Sequence, residues 1–473
     1  MIEVARSECH TPPSLEPPAV LLEKALTLAL PSAPVRPPSL VWTAERRITR
    51  RGAIWLGQTC NLRCHFCFFI DRIENSSHPE HAFMSLEKAK RICNTLVDVY
   101  GNTAVDIQGG EPTLWRHILP LLEHCKMIGL QPSVITNALV LERKERVHAY
   151  QKAGVRDFLV SVHGLGPVHD WAVGLEGAHE RQMRALRNMI EVGVPFRINT
   201  VLTKGTILHL PQVAQLAVRT GAQVVNFLTF LPFGDQAMAG SRVPSNLPRY
   251  SEAAGPLTEA LDQLAEAGTE ANVRFFPPCL LPARHRRSCF NLQQLPYDHR
   301  EWDFRSLSWT GAQAQRTRVG ELSPPSELPA TRLPSWLSWV EAQLAAFAPP
   351  RHFVVKVGER ALRPLREWLH LPAPSREQQY QEFARSMARS NGYTYCRACM
   401  SCDVRAICDG VHGDYAALFG TNEIHPISLG LKVRNPTYYI GRQQKLVCPG
   451  DESWSLPPQP DRPGNCSAGH LPQ

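Results

Sequence analysis

The chain has 473 residues, 43% hydrophobic, 20% charged and 8% aromatic, a composition that builds folded globular structure and leaves room for two or three domains. Its net charge of +8 is a modest surplus over 43 acidic residues. Basic clusters such as Arg284-His285-Arg286-Arg287 therefore read as solvated surface, or as an attraction for an anionic substrate or acidic partner. No nucleic-acid-binding motif, signal peptide or membrane-length apolar run is recognisable, so neither nucleic acid nor membrane is an expected partner, and the expected setting is the reducing cytoplasm. Disulfides are rare there, and the 14 cysteines need another reason.

Residues 11–38 are rich in Pro-Pro steps and read as an irregular or partly helical leader. From residue 53 to 231, strand-like and helix-like patterns then alternate. A strand at Ala53–Leu56 precedes a cysteine loop, and Ser85 caps a helix with Ala89, Ile92, Cys93, Leu96 and Val97 on one face. Strand Ala104–Gln108 leads to a helix carrying Ile118, Leu121, Leu122, Cys125 and Ile128, closed by Gly129. The cycle continues with strand Pro132–Thr136 and a helix around Glu142–Lys152 closed by Gly154. Strand Asp157–Val162 is followed by a helix at Ala178–Val192 with Gly193 after it. Strand Phe196–Leu202, a helix at Leu210–Thr220 and strand Gln223–Phe230 complete the set.

Strands separated by helices predict an α/β fold with a parallel sheet, curled by right-handed crossovers into a partial (β/α)6 TIM-type barrel. Its chemistry belongs at the C-terminal strand ends. Cys93 and Cys125, on apolar helix faces, are expected core residues. The domain reading is a Pro-rich leader at 1–49, the barrel at 50–235, a connecting or substrate region at 236–395, a cysteine-rich segment at 396–447 and an irregular tail from 448 to 473.

Cys60, Cys64 and Cys67 follow the first strand directly. A structural zinc site wants four ligands, usually in C-x2-C pairs; C-x3-C-x2-C leaves a metal one protein ligand short, as an open catalytic site requires. The motif Cys60-x3-Cys64-x-Phe66-Cys67 resembles the signature of radical S-adenosylmethionine (radical SAM) enzymes. The resemblance implies that the three thiolates hold three irons of a [4Fe–4S] cluster and that the fourth iron binds S-adenosylmethionine. One electron from the cluster, delivered by a flavodoxin- or ferredoxin-type donor, would then cleave the sulfonium to a 5′-deoxyadenosyl radical that abstracts a substrate hydrogen.

Gly109-Gly110-Glu111-Pro112 at the end of the second strand matches the family's Gly-Gly-Glu-Pro segment, which implies a grip on the methionine amino group by the carboxylate or backbone carbonyls. Ile135-Thr136-Asn137, Ser161-Val162-His163-Gly164 and Asn199 resemble the ends of the family's third, fourth and fifth strands. Phe66, Gly109, Gly110, Glu111, Ser161 and Asn199 are the cofactor-binding residues so implied; His163 is open between a substrate contact and a strand-end residue bonded to backbone.

Residues 396–408 place Cys396, Cys399, Cys402 and Cys408 within thirteen positions. A zinc knuckle is one reading. The alternative is that Cys399-x2-Cys402-x5-Cys408, with the Asp409-Gly410 after it, resembles the SPASM auxiliary-cluster domain of many radical SAM enzymes and implies one auxiliary [4Fe–4S] cluster. The family's next cysteine is replaced by His412, and its upstream cysteine motif is not recognisable. The fourth ligand is left between Cys396, which is favoured by proximity, Cys448 and His412, and no role is assigned to Cys279 or Cys289.

The implied function is radical chemistry in peptide (RiPP) maturation or other specialised metabolism, with small-molecule dehydrogenation or rearrangement of a sugar or amino acid as the alternative. A non-catalytic iron–sulfur or zinc protein ranks last. Residues 1–49 are too few for a peptide leader-binding domain, and no cobalamin-binding domain is apparent. The stretch Arg274-Phe275-Phe276-Pro277-Pro278-Cys279 and the basic Arg284–Arg287 are read as linker or solvated surface, or as lining of the barrel mouth.

Overall fold

A computed structural model describes residues 16–32, 41–42, 47–48, 51–98, 102–230, 246–294, 393–436, 438–442, 446–447 and 454–455. Eight parallel strands make its main sheet: β1 Arg51–Trp55, β2 Ala104–Gln108, β3 Gln131–Thr136, β4 Asp157–Ser161, β5 Phe196–Leu202, β6 Val224–Thr229, β7 Glu270–Arg274 and β8 Cys289–Phe290. They lie in sequence order, each bonded to the next, with β1 and β8 at the edges of a curled half-barrel. The first six are the strands expected from the sequence. β7 and β8 extend the sheet into the stretch read as connecting region, and β8, at two residues, has no periodicity to detect.

Helices cover the outer face: α1 Pro18–Ala29, α2 Leu86–Asp98, α3 Ile118–Met127, α4 Lys144–Ala153, α5 Ala178–Val192, α6 Leu210–Thr220 and α7 Tyr250–Glu266. Gly129, Gly154 and Gly193, expected to close α3, α4 and α5, all take up left-handed backbone. Helix α1 lies in the Pro-rich leader and buries Leu21, Leu22, Ala25, Leu26 and Ala29 against α5 and α6.

Strand periodicity sorts the two sheet faces. Ile107, Phe158, Val160, Ile198, Val225, Phe227 and Val273 join the helices in one apolar core. Alternate residues point into the barrel and are largely polar. Buried Arg197 bonds the Asp157 carboxylate through Nε at 3.0 Å and Nη2 at 2.7 Å and stands 3.6 Å from Asp106, which ties β2, β4 and β5 together. Asn272 donates to Asn226 across β6 and β7 at 3.0 Å.

The C-terminal segment docks on the barrel through α7. Tyr415, on the short helix Gly413–Phe419, stacks on Tyr250 at 4.0 Å between centroids and accepts from the Tyr250 N–H at 2.7 Å. Glu423 accepts from the Ser251 N–H at 2.9 Å. The segment from 448 was read as irregular throughout, yet Trp454–Ser455 pairs antiparallel with Arg47–Ile48. Residues 295–392 of the stretch read as connecting or substrate region, and Cys448, lie outside the described residues.

Candidate active site

At the C-terminal ends of the strands the barrel opens into a cavity of about 300 Å³. Cys60, Cys64 and Cys67 stand on its wall with Phe66, Gly109, Gly110, Glu111, Ser161 and His163. Asn199 is not among the lining residues. It sits half-buried inside β5, opposite Ser161 and Asn226, one side-chain layer below Val201, which does reach the cavity. The lining also includes Gln108, Thr229 and Phe230, which carry no motif; their only sequence signal is position at a strand end.

The cysteine loop is anchored to its surroundings by main chain. Arg63 and His65 N–H groups donate to Val173 and Ala172 carbonyls, both at 3.0 Å. On the other side the Gly110 N–H donates to Gly57 O and the Glu111 N–H to Thr59 O, each at 2.8 Å. A Cβ on Gly110 would stand 2.3 Å from Thr59 O, so only glycine permits this approach.

The donor set fits a thiolate-held cluster. The Leu62 N–H points at Cys60 Sγ and the Phe69 N–H at Cys67 Sγ, both at 3.4 Å, and such amide donors stabilise sulfur-borne negative charge. Burial, then the Glu111 carboxylate, pushes the Cys60 thiol up to about 12; burial and the neighbouring thiols push Cys64 well up too. These thiols ionise only when metal charge offsets the desolvation. Among the described residues no three His, Cys, Asp or Glu side chains gather around a single metal ion. A cluster's own irons and sulfides stand between its ligands, so its thiolates are spaced more widely than those of one ion.

Glu111 is buried, and its carboxylate is occupied by the protein. Oε1 accepts from the Thr113 N–H at 3.0 Å, the Thr113 hydroxyl at 2.6 Å and the Thr136 hydroxyl at 2.7 Å; Oε2 accepts from the Asn137 N–H at 2.7 Å. Burial raises its pKa against the pull of these donors. The carboxylate thus cross-ties the ends of β2 and β3, and the backbone carbonyls of the Gly-Gly segment are left as the freer acceptors for an ammonium group. Asn137 in turn donates to Asn61 Oδ1 at 2.8 Å, which links β3 to the cysteine loop.

His163 packs on Phe66 at 4.4 Å between ring centroids. Its Nδ1 accepts from the Val201 N–H at 3.1 Å, which puts the ring proton on Nε2. Burial holds His163 down to about 3, so it is neutral near pH 7. Of the stretch after β7, Phe275 lines the cavity at a left-handed φ of 62°. Arg284 and His285 instead bind Asp262, at 2.8 and 2.6 Å.

A second, smaller pocket lies where the C-terminal segment meets the loop after β7. Cys399, Cys402, Cys408 and Cys279 line it, with Pro278, His425 and Ile427 among their neighbours. The Ile427 N–H donates to Cys402 Sγ at 3.4 Å and the Gly410 N–H to Cys408 Sγ at 3.3 Å. Cys396 is not in this lining; its Sγ lies 3.5 Å from that of Cys399. His412 pairs with Tyr393 in a two-residue strand and is likewise outside the lining. Buried Asp409 accepts from the Leu292 and Gln293 N–H groups, at 2.7 and 3.2 Å, and so fastens the loop after β8 beneath the Cys408 turn.

A parallel α/β half-barrel with three thiols lining the cavity at its mouth is an arrangement able to hold a thiolate-ligated metal cluster. The model of the radical SAM superfamily matches residues 56–217. Among curated relatives, an AdoMet-dependent heme synthase of Oleidesulfovibrio alaskensis is 27% identical over 187 residues, 39% of this chain and 47% of that protein. A PqqA peptide cyclase of Rhodopseudomonas palustris is 29% identical over 168 residues, 35% of this chain and 43% of that protein. The chain spans about half the length of these curated relatives. The crystal structure of Streptococcus suis SuiB bound to S-adenosylmethionine aligns with a TM-score of 0.40 at 19% identity, covering 48% of this chain and 50% of that one. Residues 56–217 thus match a radical SAM domain, of a superfamily that uses a [4Fe–4S] cluster and S-adenosylmethionine.

Proposed function

We propose that this chain modifies a peptide by hydrogen abstraction at the 300 Å³ cavity, as a cytoplasmic maturase with one auxiliary cluster in the 396–447 segment and a flavodoxin- or ferredoxin-type electron donor. The observation that supports this reading is the cavity, which is lined together by the thiols of Cys60, Cys64 and Cys67, by Gly109 and Gly110, and by an aromatic wall of Trp55, Phe66, Phe68, Phe69 and Phe275. Bound there, the cluster and S-adenosylmethionine supply one-electron cleavage of a sulfonium and a hydrogen-abstracting species.

The chain's own residues provide position and exclusion of water. Cys60, Cys64 and Cys67 would hold the cluster. Main-chain carbonyls of the Gly109-Gly110 segment and the end of β4 at Ser161 would orient the methionine and ribose portions. Phe66, packed against neutral His163, offers an apolar surface that keeps solvent away. No helix among the described residues is long and apolar enough to cross a membrane.

The peptide reading draws support from the relative named as a peptide cyclase. Relatives named as a heme synthase and as a GTP 3′,8-cyclase favour a second reading, a small-molecule substrate. The experiment is anaerobic reconstitution and reduction with S-adenosylmethionine. Wild type is expected to form 5′-deoxyadenosine and Cys64→Ala none; formation by the variant at the wild-type rate overturns the assignment of the three thiols. Deuterium transfer into 5′-deoxyadenosine from a labelled precursor peptide, but not from labelled sugars or amino acids, decides between the two substrates.

A further inference from the structure

Neither the fourth ligand of the second cysteine site nor a role for Cys279 was fixed by sequence, and the fold brings the two questions together. We propose that Cys279, carried by the loop after β7, is the fourth thiolate of the auxiliary cluster, with Cys399, Cys402 and Cys408. The inference rests on the reading that the 396–447 segment holds a cluster.

The observations are these. Cys279 lines the same pocket as the other three, although well over a hundred residues separate it from them in sequence. Its thiol lies within electrostatic reach of Cys399, Cys402 and Cys408. The Ile427 N–H donates to Cys402 Sγ at 3.4 Å, and His425, two residues before it, shares the pocket lining with Cys279. With the Gly410 N–H on Cys408 Sγ at 3.3 Å, main-chain donors meet two of the sulfurs that face one pocket, the arrangement that offsets thiolate charge in cluster sites.

The competing cysteines are placed differently. Cys289 is buried and its Sγ donates to Phe276 O at 3.4 Å, a bond that requires the thiol proton. Cys396 lies outside the pocket lining, with its Sγ 3.5 Å from that of Cys399. The position of Cys279 also joins the two sites. Phe275 stands in the wall of the first cavity and Cys279 in that of the second, four residues further along. At ~3.8 Å per residue their Cα atoms are no more than ~15 Å apart.

The test uses the full chain, reconstituted anaerobically, with iron per chain and Mössbauer and EPR spectra as readouts. Wild type is expected to hold about eight irons and Cys402→Ala about four. Cys279→Ser should convert the auxiliary signal to a three-iron form or remove it, while the first cluster and 5′-deoxyadenosine formation persist. Cys396→Ser should leave eight irons and an unchanged spectrum. Alkylation of the wild-type holoprotein, followed by peptide mass spectrometry, gives the same answer without a variant: Cys279 should be protected until iron is chelated and Cys396 should react. About four irons in wild type would overturn the auxiliary cluster and this ligand with it. Eight irons with an auxiliary signal altered by Cys396→Ser and untouched by Cys279→Ser would overturn the ligand alone.

Discussion

The two cysteine sites differ in how their thiols are gathered. Cys60, Cys64 and Cys67 come from one eight-residue loop, face a cavity of about 300 Å³, and leave room beside them for a second molecule. The second pocket is smaller, and its four thiols come from two distant segments joined by docking of the C-terminal region on α7 and β8. A site that must admit a substrate can be written in one short loop, because the loop needs only to leave a gap. A closed site needs ligands from several directions, which a single short loop does not easily supply.

That contrast can be broken one half at a time. The largest effect is expected from Gly110→Val, whose Cβ would stand 2.3 Å from Thr59 O and push the cysteine loop aside. 5′-Deoxyadenosine formation should fall by about 100-fold or more, since displacements of about 1 Å carry that cost. The auxiliary spectrum should survive, and its loss would show that the two sites fold as one unit.

Asp409→Ala reverses the experiment. It strips two buried N–H groups, Leu292 and Gln293, of their acceptor, at roughly 1–3 kcal/mol each. Urea denaturation should show that loss, and iron analysis should show the second site emptied while the first keeps its four irons.

Acid should act on the barrel. Burial holds His163 and His179 down to about 3, and burial with the neighbouring histidines holds His169 well below its ordinary range. Their unfolded values lie near ~6.5, so between about 3 and 6.5 the unfolded chain binds protons that the folded chain refuses. Stability from these groups is complete above that window and is lost as pH falls through it, by about 1 kcal/mol per histidine at pH ~5.5. Hydrogen exchange should show α5 and its neighbours opening before the 396–436 segment; the reverse order would contradict this account. The smallest effect is expected from Cys93→Ala. Cys93 and Cys125 are fully buried, with their sulfurs 3.7 Å apart between α2 and α3. The change should cost about 1–2 kcal/mol in denaturation and leave iron content unchanged.

Much of the barrel was legible because each strand–helix unit is a local pattern. Ile92, Cys93 and Leu96 recur at helical spacing, and Gly154 and Gly193 mark where the chain must turn left-handed. β8 was not legible, since two residues carry no period, and α1 was obscured by prolines at the helix start, where proline is tolerated. Asn199 was read as a cofactor contact by its strand-end resemblance, but its depth within β5 depends on sheet register, which sequence spacing does not fix to one residue.

By itself the sequence set three cysteines, two glycines and an acid in the loops after the first two strands, because each lies only a short way along the chain from a strand end, and their motifs carry the resemblance to an open cluster site. The tertiary structure decided what those residues are busy with and what joins them. It filled the Glu111 carboxylate with hydrogen bonds from Thr113, Thr136 and Asn137. It also carried Cys279 to Cys399, Cys402 and Cys408. Such contacts arise from the docking of β7, β8 and α7 against a distant segment, and docking energy is spread over many residues that no short motif records.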